Sequence, residues 1–297
     1  MTVSAIELGA TLYMPCTRGD LAAALARAAA SGLRSAVLCV EDSVHARDVP
    51  AALDNLAAVL PVLGAIPLAV FVRPRSAGML EHILHLDGIG HAAGFVIPKA
   101  HADSLPAYLA LPLHEGHRLM PTLETREVCD GHEMRRLRDQ LLGQQERILA
   151  LRIGGNDLLQ ILGARRSATR TVYDGPLGPL IGTLVATFAP WGFELTAPVM
   201  ENFANPALLA AEVERDLDHG LCAKTAIHPS QVPVIHAALA VPMAQLAEAQ
   251  AILGEDSPAV FNSAGVMCEP ATHARWARRV MARAEAFGTT GAELKIA

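Results

Sequence analysis

The chain repeats one pattern along most of its length. A short run of apolar, β-branched residues closes on a charged or metal-competent residue, and a helix-like stretch follows. Val37-Leu38-Cys39-Val40 runs into Glu41-Asp42, Ala69-Val70-Phe71-Val72 into Arg73, and Phe95-Val96-Ile97-Pro98 into Lys99. Leu119-Met120-Pro121-Thr122-Leu123 leads to Glu124, and Leu149-Ala150-Leu151-Arg152-Ile153 leads to Gly154-Gly155-Asn156-Asp157. The run from Leu195 to Met200 closes on Glu201, and that from Cys222 to Ile227 on His228. Strands that are apolar throughout, rather than alternating, belong to a parallel sheet covered on both faces. Polar groups gathered at the ends of successive parallel strands build an active site at one rim of a barrel.

The spacing predicts eight strands: Ala10–Met14, Ala36–Val40, Leu68–Val72, Gly94–Pro98, Arg118–Leu123, Ile148–Ile153, Glu194–Val199 and Ala223–Ile227. A helical pattern follows each. Asp20 near the start of the first helix and Gly32 past its end show the usual cap asymmetry. A polar interruption, Gly163–Tyr173, carries Arg165, Arg166 and Arg170 and precedes a helix at Leu177–Phe188. An open doubly wound sheet shares this alternation, but eight units favour closure. The expected fold is therefore an α/β TIM (β/α)8 barrel with a C-terminal helical extension. The chain has 297 residues, and such a barrel takes about 250. The expected division is a catalytic barrel over residues 1–240 and an extension or lid over 241–297, with helices near Met243–Leu253 and Thr272–Phe287. Three placements are open to that segment: wrapping the barrel, capping its mouth or reaching a neighbouring subunit.

Charge and composition narrow the function. The net charge of −6 argues against a nucleic-acid surface, which would be basic. No basic and apolar leader opens the chain, and Pro61, Gly64 and Pro67 break its most apolar region, so neither a signal peptide nor a membrane span is expected. Five scattered cysteines without a Cys-x-x-Cys pair suit a reducing cytoplasm and no zinc site. Cys39 and Cys222 belong in strands, and packing roles are expected for Cys16 and Cys129 as well.

Two acids stand out. Glu124 follows the fifth strand and Asp157 the sixth, so a barrel brings them together at one rim. Two carboxylates with substrate oxygens and waters make the hard oxygen environment that Mg2+ prefers. Gly154 and Gly155 permit a tight turn before Asp157 and leave room for a ligand. The competing reading has Asp157 capping a helix and Glu124 pairing with an arginine. Arg73 is suited to bind a carboxylate or to stabilise developing oxygen charge, or to pair with Glu41 or Asp42. Glu41 and Asp42 are candidates for holding metal-bound waters. Lys99 is expected to be electrostatic or structural rather than a Schiff-base lysine, and His228 a hydrogen-bonding histidine.

Taken in order, these motifs resemble the HpcH/HpaI aldolase and citrate lyase β-subunit family. The matching pieces include Leu12-Tyr13-Met14-Pro15, Val40-Glu41-Asp42-Ser43-Val44, Val72-Arg73, Leu123-Glu124-Thr125 and Gly155-Asn156-Asp157-Leu158, with Lys224-Thr225-Ala226-Ile227-His228-Pro229-Ser230-Gln231 the most specific. The wording around Tyr13 and Asp157 looks most like the C–C bond lyase branch associated with tellurium-resistance-type gene clusters. The resemblance implies a Mg2+-dependent enzyme, with Mn2+ as a substitute, that cleaves or forms carbon–carbon bonds in a small 2-oxo or hydroxy carboxylate. A coenzyme A thioester is one form that substrate can take in the family. By the same analogy Glu124 and Asp157 are the metal ligands, Arg73 contacts substrate oxygen, and Glu41 and Asp42 support the metal's water shell. Glu269 stands where an acid of the C-terminal lid reaches a neighbouring subunit's site, within a trimer or hexamer. Three departures bear on this. Val72-Arg73 continues as Pro74-Arg75 instead of Val-Asn, Ala223 replaces a glycine, and Glu269 replaces an aspartate. A CoA-independent metal aldolase acting on pyruvate or a sugar acid, and a non-catalytic barrel subunit of a biosynthetic assembly, remain as alternatives.

Overall fold

The structure, a computed structural model, describes residues 3–291. The chain separates into two compact units, Met1–Ile235 and His236–Ala297.

The first unit alternates strand and helix. Its parallel strands are β1 (Ala10–Pro15), β2 (Ser35–Cys39), β3 (Ala69–Arg73), β4 (Gly94–Ile97), β5 (Arg118–Leu123), β6 (Leu151–Ile153), β7 (Leu195–Thr196) and β8 (Lys224–Ala226). They lie in the order β7-β6-β5-β4-β3-β2-β1-β8, and a bridge between Ala197 and Lys224 joins the two ends into a closed ring. This is the expected TIM barrel. The helices α1 (Leu21–Ala30), α2 (Val49–Val59), α3 (Ala77–Ile83), α4 (Leu105–Leu109), α5 (Gly131–Leu142), α6 (Gly155–Ile161), α7 (Leu177–Phe188) and α8 (Pro206–Asp218) wrap it, and α9 (Gln231–Leu239) begins after β8. Within the helical run 46–65, Ala52, Leu56, Val59, Leu60 and Leu63 are buried. That i, i+4, i+7 spacing is the inward stripe of a helix packed on a core, although the run is long and apolar enough by composition to cross a membrane.

Three differences from the sequence reading have physical reasons. The β6–β7 connection holds two helices, because α6 starts at Gly155, directly after the strand, well before Leu177. Strands β6 and β7 are shorter than the apolar runs that encode them. Ile148 still bridges Leu119, but hydrogen bonding becomes continuous only at Leu151. Cys129, expected to pack, is exposed, since its neighbour Val128 fills the buried position of that turn. All five cysteines are free thiols.

His117, just ahead of β5, is buried. Its Nε2 lies 3.1 Å from the Ile89 carbonyl, and its ring meets Phe95 edge-on at 4.9 Å. Nδ1 is buried without a partner, so a proton placed there would have no acceptor. Burial holds the pKa of His117 below its ordinary 6.5. A group depressed in this way contributes stability that is present above the unfolded value and is lost as pH falls. The melting temperature of the wild-type protein should therefore drop more steeply below about pH 6.5 than that of His117→Leu. Parallel pH–melting curves would show that His117 does not carry this linkage.

The second unit contains β9 (Val241–Pro242), α10 (Met243–Leu253), the hairpin β10 (Phe261–Ser263) and β11 (Val266–Cys268), α11 (Pro270–Phe287) and β12 (Thr289–Thr290). Helices α10 and α11 share a small core of Val241, Ala249, Ile252, Cys268, Ala277 and Val280.

Candidate active site

The inside of the barrel is layered by the two-residue period of its strands. Phe71, Val96, Met120 and Ala150 form an apolar layer. One step further along β5 and β6 the inward residues are Thr122 and Arg152, which pair in register. The next inward positions are Glu124 and Gly154. Apolar packing thus gives way to polar groups toward the carboxyl ends of the strands, where barrels carry their chemistry. A cavity of about 360 Å3 opens there, lined by Tyr13, Asp42, Arg73, Glu124, Arg152 and Asp157 among others.

Glu124 is held from one side only. Its Oε1 accepts from Arg73 Nη2 at 2.8 Å and from the backbone N–H of Lys99 at 2.8 Å. To present that N–H, Lys99 adopts a left-handed φ of 50°, which costs a non-glycine residue roughly 1–3 kcal/mol and is found where function demands it. Oε2 makes no hydrogen bond among the described residues. It faces Gly154, where a Cβ would sit 2.4 Å from Oε2 and 2.4 Å from Glu124 Cβ. Only glycine leaves space beside that oxygen. Burial pushes the Glu124 pKa up to about 7, with Arg73 pulling the other way and Asp157 adding to the rise. Asp157, in the first turn of α6, is half-buried and forms no hydrogen bond or ion pair among the described residues.

Arg73 is the hub of the rim. It lies 3.0 Å from Glu41 Oε2 and 3.6 Å from Asp42 Oδ2 as well as contacting Glu124. Its Nε is buried without a partner. Glu41 spends its other oxygen on Lys99 Nζ at 2.5 Å, and Lys99 also reaches Asp42 at 3.3 Å. Burial raises the Glu41 pKa despite Arg73 and Lys99. Among these residues Asp42 lines the cavity and Glu41 stands behind it.

The structure thus gathers Glu41, Asp42, Arg73, Glu124 and Asp157 at one rim. The competing reading of Glu124 is present too, since it does pair with an arginine, but through one oxygen. His228 at the end of β8 bonds Ser230 Oγ at 2.7 Å and stacks on Phe203. Glu269 lies in the second unit. It occupies the N-cap position of α11 without a side-chain capping bond, and its Oε2 accepts from Thr272 Oγ1 at 3.3 Å. Two arginines given no role by the sequence reading matter here. Arg75 donates through Nε to the Val40 carbonyl at 2.9 Å and through Nη2 to those of Glu41 and Val44, pinning the loop that carries Glu41-Asp42. Arg152 is a buried cation in the cavity wall. Its signal in the sequence is a charge inside an apolar parallel strand, two residues before Gly154 and so facing inward.

With this geometry in view, residues 2–289 match the family described as C–C bond lyase of the TIM-barrel fold. The chain belongs to this family of carbon–carbon bond lyases. Among solved structures, CitE from Mycobacterium tuberculosis in complex with magnesium, acetoacetate and coenzyme A is similar at 21% identity, covering 94% of this chain and 99% of that one, with a TM-score of 0.67. RipC from Yersinia pestis is similar at 21% identity, covering 79% and 96%, with a TM-score of 0.61. The citrate lyase β subunit from M. tuberculosis, complexed with oxaloacetate and magnesium, is similar at 22% identity, covering 78% and 98%, with a TM-score of 0.56. At these identities the likeness speaks for the fold. No curated protein matches the chain.

Proposed function

We propose that this enzyme is a Mg2+-dependent lyase that cleaves or forms a carbon–carbon bond in a small 2-oxo or hydroxy carboxylate. One observation carries the reading: Glu124 and Asp157 line the same cavity, each with carboxylate oxygen free of partners among the described residues. Two such oxygens, with space kept open by Gly154, fit a hard divalent cation that completes its shell with water and substrate. Bound there, Mg2+ would supply Lewis acidity to the substrate's chelating oxygens.

The protein's own groups do the rest. Arg73 stabilises the negative charge that collects on the substrate oxygen as the bond opens to an enolate. Its contact with Glu124 fixes both side chains before substrate arrives. Lys99 and Arg75 hold Glu41 and Asp42 beside Arg73. The proton taken up by the enolate carbon is assigned to Glu269 of a neighbouring subunit, by analogy with the family's lid acid. This last step requires a homo-oligomer. Light scattering is expected to give a trimer or hexamer, and a monomer would remove Glu269 from the reaction.

Titration with Mg2+ and oxalate, an enolate mimic, tests the core of the reading. Mutual enhancement of binding is expected, with Mn2+ able to replace Mg2+. No metal binding in the presence of oxalate would overturn the metal reading. Acetyl-coenzyme A added to that complex reads thioester use, since a further binding event assigns thioester chemistry and its absence assigns free acids.

A further inference from the structure

Arg152 presents a problem that the proposed chemistry does not solve. Its guanidinium is always protonated and its side chain is among the most completely buried in the protein. Yet among the described residues no carboxylate lies within 4.0 Å of it. Its contacts are Thr225 Oγ1 at 2.6 Å, the Met120 sulfur at 3.8 Å and the face of Tyr13, 5.4 Å from the ring centroid. None of these carries a charge. The other buried cations, Arg73 and Lys224, and the buried side chain of Arg166 each hold a carboxylate. An unpaired buried charge is strongly destabilising, so its retention in a cavity wall calls for an anion from outside the chain.

The neighbouring strands point the same way. Register places Thr122 of β5 and Thr196 of β7 on either side of Arg152. Both threonines are buried, and among the described residues both hydroxyls lack a hydrogen-bond partner. The cavity wall thus holds the Arg152 guanidinium and the idle Thr122 hydroxyl, with Thr196 next in register, as donors for a carboxylate. This set lies two residues below the Glu124–Gly154 level, one layer of about 6.6 Å.

We propose that Arg152 and Thr122, backed by Thr196, form a subsite on the cavity floor for a second carboxylate, so that the substrate is a small dicarboxylate of malate or 2-oxoglutarate size. Its hydroxy- or oxo-acid end faces Glu124 and Asp157, and its far carboxylate is received by Arg152. This inference rests on the proposed function for the orientation of the ligand, but the floor subsite can be measured separately.

Calorimetry with small acids tests it. Lactate and malate share a hydroxy-acid end and differ by one carboxylate. In Mg2+, malate should bind the wild-type protein at least about tenfold more tightly than lactate. Arg152→Met should abolish that preference and leave oxalate binding within about twofold, since oxalate is too short to reach the floor. The unliganded variant should also melt higher than wild type, because an uncompensated charge has been removed. A purely structural Arg152 would give a lower melting temperature and an unchanged malate preference. Thr122→Val guards against misfolding of the arginine variant and should weaken malate, but not lactate, by about three- to tenfold. Wild-type protein that binds oxalate without preferring malate overturns the subsite, as does a folded Arg152→Met that keeps the preference. If oxalate itself fails to bind with Mg2+, the metal reading falls. The malate and lactate titrations without metal then decide the floor alone, where a preference lost in Arg152→Met supports it and no preference overturns it.

Discussion

Asp157→Asn should remove metal-dependent turnover while leaving the barrel folded. The substitution keeps the size of the side chain and takes away one negative charge. Asp157 has no hydrogen bond or ion pair to lose among the described residues, and its favourable position in the first turn of α6 is worth only about 0.3–1 kcal/mol. The loss for a group in the coordination shell should reach or exceed the upper end of the about 10–100-fold seen when supporting residues are removed. Mg2+ affinity measured by calorimetry in the presence of oxalate, beside circular dichroism of the folded protein, separates the two effects. Gly154→Ala should give a similar loss by a different route. Its new Cβ would overlap both Glu124 Cβ and Oε2, while Arg73 and the Lys99 N–H pin the other oxygen. If both variants bind Mg2+ and oxalate like wild type, Glu124 and Asp157 are not the ligands.

The parts of this site legible in the sequence are those set by strand parity and strand ends. Glu124, Asp157, Arg73 and Glu41 each close an apolar run, and barrel closure does the rest. What sequence could not show is which oxygen of Glu124 is occupied. That depends on the left-handed backbone of Lys99, a tertiary detail with no local signal. Arg75 looked like a departure from a family pattern. Only the packing of the loop carrying Glu41 onto the end of β3 reveals it as a clamp on three carbonyls. The helix α6 was hidden because it has only seven residues and opens at Gly155 directly after Gly154, a glycine pair that reads as a turn. The arginines of the 163–173 segment looked like solvated charge. One of them, Arg166, has a buried side chain, because its partner Glu212 lies more than forty residues away on α8.

That partner anchors the second large effect. Glu212 is fully buried, and three donors converge on it: Lys224 Nζ at 2.9 Å, Arg166 Nη1 at 2.5 Å and the Val172 N–H at 2.8 Å. Lys224 also donates to Asp216 at 2.8 Å, and Asp216 accepts from the Tyr173 hydroxyl at 2.6 Å. Two cations therefore face two anions between β8 and α8, and the set is neutral. Burial pushes the Glu212 pKa up, but Lys224 and Arg166 overcome it and hold the carboxyl below its ordinary range. Glu212→Ala would leave an uncompensated buried cation and an orphaned backbone N–H. Breaking a buried pair from one side costs about 3–5 kcal/mol, which for a unit of this size lowers the melting temperature by roughly 6–20 °C. The same arginine ties the segment after α6 to the Val199 carbonyl beyond β7. Limited proteolysis of Glu212→Ala should therefore cut first between residues 163 and 174. A melting temperature within a few degrees of wild type would mean that water or a shifted Asp216 takes over the vacant role.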